Sequence, residues 1–175
     1  MTGDSEVKRV LPPRSTGRIR VLIADDHALV REGLHKVFEL DDAIDVTGDA
    51  ATACETLFEL GRCSVDVVVL DLLMPGCVGI DLIKGIVRAH PKVAVLVLTM
   101  DSDPWIARKA LMAGALGYLT KDIAIDLLIE AVHSVAAGRR CVDPALSAAL
   151  GTLPADRPPA LAEYLSTRGR GARWR

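Results

Sequence analysis

Apolar positions along residues 19–138 switch repeatedly between two periods. IRVLIA at Ile19–Ala24 is a short apolar run with β-branched residues, which predicts a buried strand. Leu29, Val30, Leu34, Val37 and Phe38 then recur at helical spacing, predicting an amphipathic helix over residues 28–40. The alternation continues. A weaker strand is expected at 44–49, and a helix at 51–60 that Gly61 closes. VDVVVL at 65–70 reads as a strand apolar on both faces, and residues 79–89 as a helix stopped before Pro91. VAVLVL at 93–98 is a second strand apolar on both faces. A helix at 104–113 carries Pro104 in its first turn, where a missing amide proton is tolerated. A short strand at 117–119 precedes a long helix at 123–137, with Asp122 as N-cap and Gly138 as its stop. Strands apolar on both sides need helices over both faces, so these five β/α units predict a parallel α/β sheet.

The ends have a different texture. Residues 1–18 mix charge with Pro, Ser and Gly and read as a flexible leader. Residues 139–153 read as a linker, within which 143–150 continues as a short helix with Leu146, Ala149 and Leu150 on one side. Residues 154–175 are rich in Pro, Gly and Arg and are expected to be poorly ordered and basic. Across the 175 residues, 50% are apolar and 25% charged, which excludes wholesale disorder. A net charge of -2 excludes a basic nucleic-acid coat or a polybasic membrane binder. No apolar run approaches the ~18 residues of a membrane span, and the leader lacks the core of a signal peptide. A cytoplasmic protein is therefore expected. The spacing of Cys54, Cys63, Cys77 and Cys141 fits no zinc pattern. They are read as small apolar residues or incidental thiols.

Parallel α/β sheets bind ligands outside the carboxyl ends of their strands. The first strand ends in Asp25 and Asp26, the third in Asp71, the fourth in Thr99, and the fifth in Tyr118, Leu119, Thr120 and Lys121. Each has an ordinary reading alone. Asp26 is a candidate N-cap, Asp71 a turn residue before Met74 and Pro75, Thr99 a strand end, Tyr118 edge-strand packing and Lys121 a solvated lysine. His27 reads as a helix-start residue rather than a ligand. Together they bring three carboxylates, a hydroxyl and an ammonium to one edge. Clustered carboxylates repel one another unless a cation joins them. Lys121 supplies one positive charge, and a hard divalent ion such as Mg²⁺ suits the remaining oxygens.

The stretches VLIADDH, VVVLDLLMPG, VLVLT and GYLTKD together resemble the receiver domain of bacterial two-component response regulators, most nearly the NarL/FixJ group. The resemblance covers residues 19–138, and the segment to about residue 150 is similar to that group's linker. It implies a flavodoxin-like, CheY-like fold: a five-stranded parallel doubly wound sheet of order 2-1-3-4-5. It implies that Asp71 is the phosphoacceptor. Asp25, Asp26, Asp71 and the backbone carbonyl of Leu73 would hold Mg²⁺. Thr99 and Lys121 would bind phosphoryl oxygens, and Tyr118 would be a switch aromatic that moves inward when Thr99 is recruited. The implied partner is a sensor histidine kinase, with homodimers or heterodimers with related regulators as further associations. No enzymatic activity is expected beyond self-phosphorylation and autodephosphorylation.

The chemistry suits these assignments. A carboxylate ionised at neutral pH needs no general base to attack phosphorus. The chain departs from the family pattern at Leu73, where polar residues are common. An apolar side chain there is expected to hinder an attacking water. NarL/FixJ regulators usually carry a helix-turn-helix domain, but the residues after Leu150 are too few and too rich in Pro, Gly and Arg to bury one. LSTR at 165–168 resembles the opening of such a domain before the pattern is lost, so sequence-specific DNA binding is not expected of this chain. Three other readings stay open: a DNA-binding regulator of this ancestry, a phosphorylation-independent pseudo-receiver, and a haloacid-dehalogenase-like phosphatase. The last is disfavoured because that class has two aspartates separated by one residue after its first strand, whereas here Asp25 and Asp26 are adjacent and the candidate nucleophile follows the third strand.

Overall fold

A computed structural model of the chain describes residues 17–75 and 79–151. The expectations for the leader, for Cys77 and for the basic tail fall outside the described residues. Six strands form one sheet in the order β2-β1-β3-β4-β5-β6. They are β1 (Ile19–Ala24), β2 (Ile44–Ala50), β3 (Val67–Leu70), β4 (Ala94–Thr99), β5 (Gly117–Thr120) and β6 (Cys141–Val142). Every pairing is parallel. The intervening helices are α1 (Ala28–Phe38), α2 (Ala53–Arg62), α3 (Gly79–Ala89), α4 (Pro104–Met112), α5 (Ile125–Ala136) and α6 (Pro144–Leu150).

Alternation along the strands divides the core in two, because successive side chains point to opposite faces. Leu22, Val68, Leu70, Val95 and Val97 meet α2, α3 and α4 through Leu60, Ile83, Ile86, Ile106 and Ala110. Val21, Ile23, Val67, Val69, Leu96 and Leu98 meet α1 and α5 through Leu34, Phe38, Leu128, Val132 and Val135. The doubly wound α/β arrangement is therefore as expected, and the five-strand count is corrected to six. β6 adds only two residues beside β5, pairing Gly117 with Cys141 and Tyr118 with Val142. Two residues are too few to register as a period. Gly138, at φ 77°, turns the chain back from α5 to make the strand.

Three helix-end expectations also change. α1 is capped at His27 rather than Asp26, and α5 at Ala124 rather than Asp122. Gly61 lies inside α2, which runs to Arg62. In each case the helix boundary sits one to three residues from the polar or Gly signal, because packing onto the sheet sets the boundary. By contrast, Asp103 caps α4 by accepting from the Trp105 N–H, with Pro104 in the first turn.

Candidate functional site

The strand ends converge at the carboxyl edge, where backbone bonds continue the ladder one residue past each strand. The Asp25 N–H donates to the Ala50 carbonyl at 3.0 Å, the Asp71 N–H to Ala24 at 2.8 Å and the Lys121 N–H to Thr99 at 2.9 Å. These bonds fix the Cα positions of the acidic pair, the third carboxylate and the lysine relative to one another. Asp25 and Asp71 are buried, at 2% and 3% exposure, and Thr99 and Tyr118 are fully buried.

Lys121 ties the carboxylates together. Its Nζ lies 2.5 Å from Asp25 Oδ2 and 2.7 Å from Asp71 Oδ2. Burial pulls the Lys121 ammonium towards neutrality, but its bonds to Asp25 and Asp71 outweigh that and raise its pKa. The remaining oxygens turn inward on the loops. Asp25 Oδ1 accepts the His27 N–H at 2.8 Å, and Asp71 Oδ1 accepts the Leu73 N–H at 3.1 Å. Asp26 Oδ1 is buried and makes no hydrogen bond, although His27 Nδ1 lies 2.9 Å away. Oxygens of Asp25, Asp26 and Asp71 and a ring nitrogen of His27 all lie within 4.8 Å of one another. Three clustered carboxylates, two of them paired with one lysine, form an acidic pocket suited to a hard cation.

Thr99 and Tyr118 stand on adjacent strands beside this pocket. The Asp101 N–H donates to Thr99 Oγ1 at 3.4 Å, and the Tyr118 hydroxyl donates to the Asp101 carbonyl at 2.8 Å. The Tyr118 ring is fully buried in this structure. Its phenol is pushed well above its usual pKa, first by burial and then by the charges of Asp101, Asp103 and Asp71. Leu73 is half-exposed at the pocket rim, with its N–H rather than its carbonyl engaged among the described bonds.

The structure adds residues that sequence reasoning passed over. The Arg31 guanidinium donates to the Asp25 carbonyl at 2.6 Å, bracing the acidic pair from α1. Asp101 holds the Tyr118 hydroxyl through its main chain, a role no side-chain pattern can announce. His27 starts α1 as expected, and its ring also lies on the acidic pair.

A parallel doubly wound sheet with an acidic pocket and a part-buried lysine at its carboxyl edge defines a receiver-like fold. The family profile described as "Response regulator receiver domain" matches residues 21–133, and the chain belongs to that family. It is 36% identical over 130 residues to the response regulator GacA of Pseudomonas protegens, covering 74% of this chain and 61% of that protein. It is 35% identical over 124 residues to the response regulator UvrY of Escherichia coli K12, covering 71% and 57%. The chain thus spans about 60% of the length of the curated relatives it matches. Among solved structures, it resembles the isolated receiver domain of RcsB from Salmonella enterica serovar Typhimurium, determined with the phosphomimetic BeF3-. That match has a TM-score of 0.72 and 31% identity, covering 77% of this chain and 99% of that one. Among the described residues no helix is long and apolar enough to cross a membrane.

Proposed function

We propose that this chain is the phosphoacceptor of a two-component relay, taking a phosphoryl group on Asp71 from a sensor histidine kinase. The observation that carries the reading is the Lys121 ammonium bridging the buried carboxylates of Asp25 and Asp71 at the carboxyl edge. An Asp71 oxygen attacks phosphorus, the new P–O bond forms, and the P–N bond of the donor phosphohistidine breaks with its electron pair returning to the imidazole. The protein's task is to hold these groups in line and neutralise charge. Lys121 pairs with one phosphoryl oxygen and the Thr99 hydroxyl donates to another. Asp25, Asp26, Asp71 and the Leu73 carbonyl would hold Mg²⁺, which supplies further neutralisation of the phosphoryl charge when bound. The clustering of the Asp25, Asp26 and Asp71 oxygens within 4.8 Å of one another supports this assignment.

Phosphorylation adds charge and acceptor oxygens beside Thr99 and Tyr118. With Tyr118 already inward, the added bonds hold that arrangement and stabilise one form of the α4–β5 face for a partner. GacA and UvrY are named response regulators, and one RcsB structure is described as two dimers bound to two parallel DNAs. For this chain, output through a second copy, a related regulator or another partner protein fits the described residues, with no enzymatic turnover beyond self-phosphorylation and loss of the phosphoryl group. The cytoplasm, where such relays meet their kinases, is its proposed location.

Intact mass after incubation with a small-molecule phosphodonor and Mg²⁺ tests the reading. A single phosphoryl adduct is expected in the wild type and none in Asp71→Asn. A folded wild type without an adduct, or an adduct that persists in Asp71→Asn, overturns it. Leu73, two residues beyond Asp71 and 41% exposed, shields the acyl phosphate from water. Leu73→Asn is expected to shorten the adduct's half-life about threefold or more, a change of at least ~0.7 kcal/mol in barrier; an unchanged half-life removes that role.

A further inference from the structure

The family match ends at residue 133, yet the chain adds β6 and α6 beyond it. Between them stands the buried Asp143, which bonds to both β5 and α6. Its N–H donates to the Tyr118 carbonyl at 2.9 Å. Its Oδ2 accepts the Thr120 hydroxyl at 2.7 Å, and its Oδ1 caps α6 by accepting the Ala145 N–H at 2.9 Å. One side chain therefore fastens the start of α6 to β5 at Thr120, next to Lys121 and two residues from Tyr118.

The packing runs the same way. Leu146 of α6 is buried in the cluster that contains Tyr118 together with Ile106, Ala107 and Ala110 of α4. Val142 and Leu150 pack against that cluster from its margin. On its other side β5 is held by the Lys121 N–H bonded to Thr99. The strand that carries the phosphoryl-binding lysine is thus clamped between the switch threonine and the segment after α5. A carboxylate buried here costs solvation, and its bonds locate a strand end and a helix start at once.

We propose that Asp143 and Thr120 form a positioning pair that couples docking of β6 and α6 to phosphorylation of Asp71. This rests on the phosphoacceptor reading above. With the pair closed, β5 holds Lys121 against Asp71 and Tyr118 inward, so closure favours the phosphorylated state. Linkage makes the effect reciprocal: phosphorylation tightens the docking of residues 141–150 by the same factor. Thr120→Val keeps the β-branched shape and removes the donor. Thr120→Ser restores the hydroxyl. Asp143→Asn keeps both contacts, because its amide nitrogen can donate to the Thr120 oxygen while its carbonyl oxygen caps α6.

Two readouts on the full chain test the pair. The first is the fraction phosphorylated at steady state with a small-molecule phosphodonor and Mg²⁺. The ratio of phosphorylated to free protein should fall about fivefold in Thr120→Val, the scale of one hydrogen bond acting as a coupling energy. Thr120→Ser and Asp143→Asn should stay near wild type. The second is hydrogen exchange of the amides in 141–150. Beryllofluoride with Mg²⁺ should slow that exchange in the wild type, and by less in Thr120→Val. Two results overturn the pair: exchange in 141–150 that ignores beryllofluoride in the wild type, or a Thr120→Ser variant as impaired as Thr120→Val. A wild type that takes no phosphoryl group at all defeats the phosphoacceptor reading instead.

Discussion

The two ends of the sheet carry ion pairs built on opposite logics. At the amino end, Arg20 on β1 faces Asp66 just before β3. The Arg20 Nε and Nη2 donate to the two Asp66 oxygens at 3.0 and 2.9 Å, and the backbone N–H of each residue is also bonded to the other. One cation meets one anion in a fork, with side-chain exposures of 43% and 25%. The guanidinium is held further above its usual pKa mainly by its hydrogen bond to Asp66. Every charge there is answered and nothing is left to bind. At the carboxyl end, Asp25 and Asp71 share the Lys121 ammonium, and the third carboxylate, Asp26, adds its charge beside them. Charge is balanced where the residues only hold strands together, and left in excess where chemistry is done. Perturbed, incompletely paired groups in a cleft are the physical mark of a functional site.

The comparison breaks most sharply at Lys121. Lys121→Met leaves buried carboxylates with no internal cation, and about 3 kcal/mol of stability should be lost in a chelating buffer. Saturating Mg²⁺ should recover more of the melting temperature in this variant than in the wild type. Equal recovery would mean that the lysine and the cation do not answer the same charge. Next come two substitutions of the same type with opposite signs. Asp66→Asn removes one arm of a matched pair and should cost about 1 kcal/mol, limited by its solvent exposure. Asp26→Asn removes surplus charge and should raise stability by about 1 kcal/mol without Mg²⁺, a shift of a few degrees in Tm, while weakening Mg²⁺ binding tenfold or more. If both variants lose stability in chelator, the carboxyl end is not charge-frustrated.

Much of this was legible from the chain. VVVL and AVLVLT are apolar on both faces, so a sheet covered on both sides followed from period alone, and strand ends then located Asp25, Asp71, Thr99 and Lys121. What escaped was of three physical kinds. β6 is two residues long, and no periodicity exists at that length. The bonds of Arg31 and Asp101 run to or from main-chain carbonyls, which every residue possesses and no motif marks. The burial of Tyr118 depends on packing with residues of α4 and α6, a tertiary property. Asp143 shows the limit well. Its place before Pro144 announces a helix cap, and it is one, but its second bond to Thr120 depends on a strand pairing that the local sequence does not encode.

The smallest expected effect lies at a second pair on the amino-end side, between the loop after α1 and the last turn of α5. His133 Nε2 lies 2.6 Å from Asp41 Oδ2, and the Ala43 N–H donates to Asp41 Oδ1 at 2.8 Å. The His133 bond, and after it the Ala43 amide, hold the Asp41 carboxyl below its usual range. A carboxyl depressed in the folded state contributes stability that is fully present above its unfolded pKa near ~3.9. That contribution is lost as pH falls through the lower folded value. His133→Ala removes the largest cause of the depression, so the variant should be slightly less stable at pH 5, by about 0.5 kcal/mol given the exposure of both side chains. Wild type and variant should converge as the pH is taken well below 4, because both carboxyls are then protonated. Denaturant melts of the two proteins across pH 2–7 measure this. A gap that stays constant over the whole range would assign the loss to helix packing rather than to the ion pair. Phosphorylation of Asp71 should be unchanged throughout, since a matched pair at this end contributes only to joining α5 to the loop after α1.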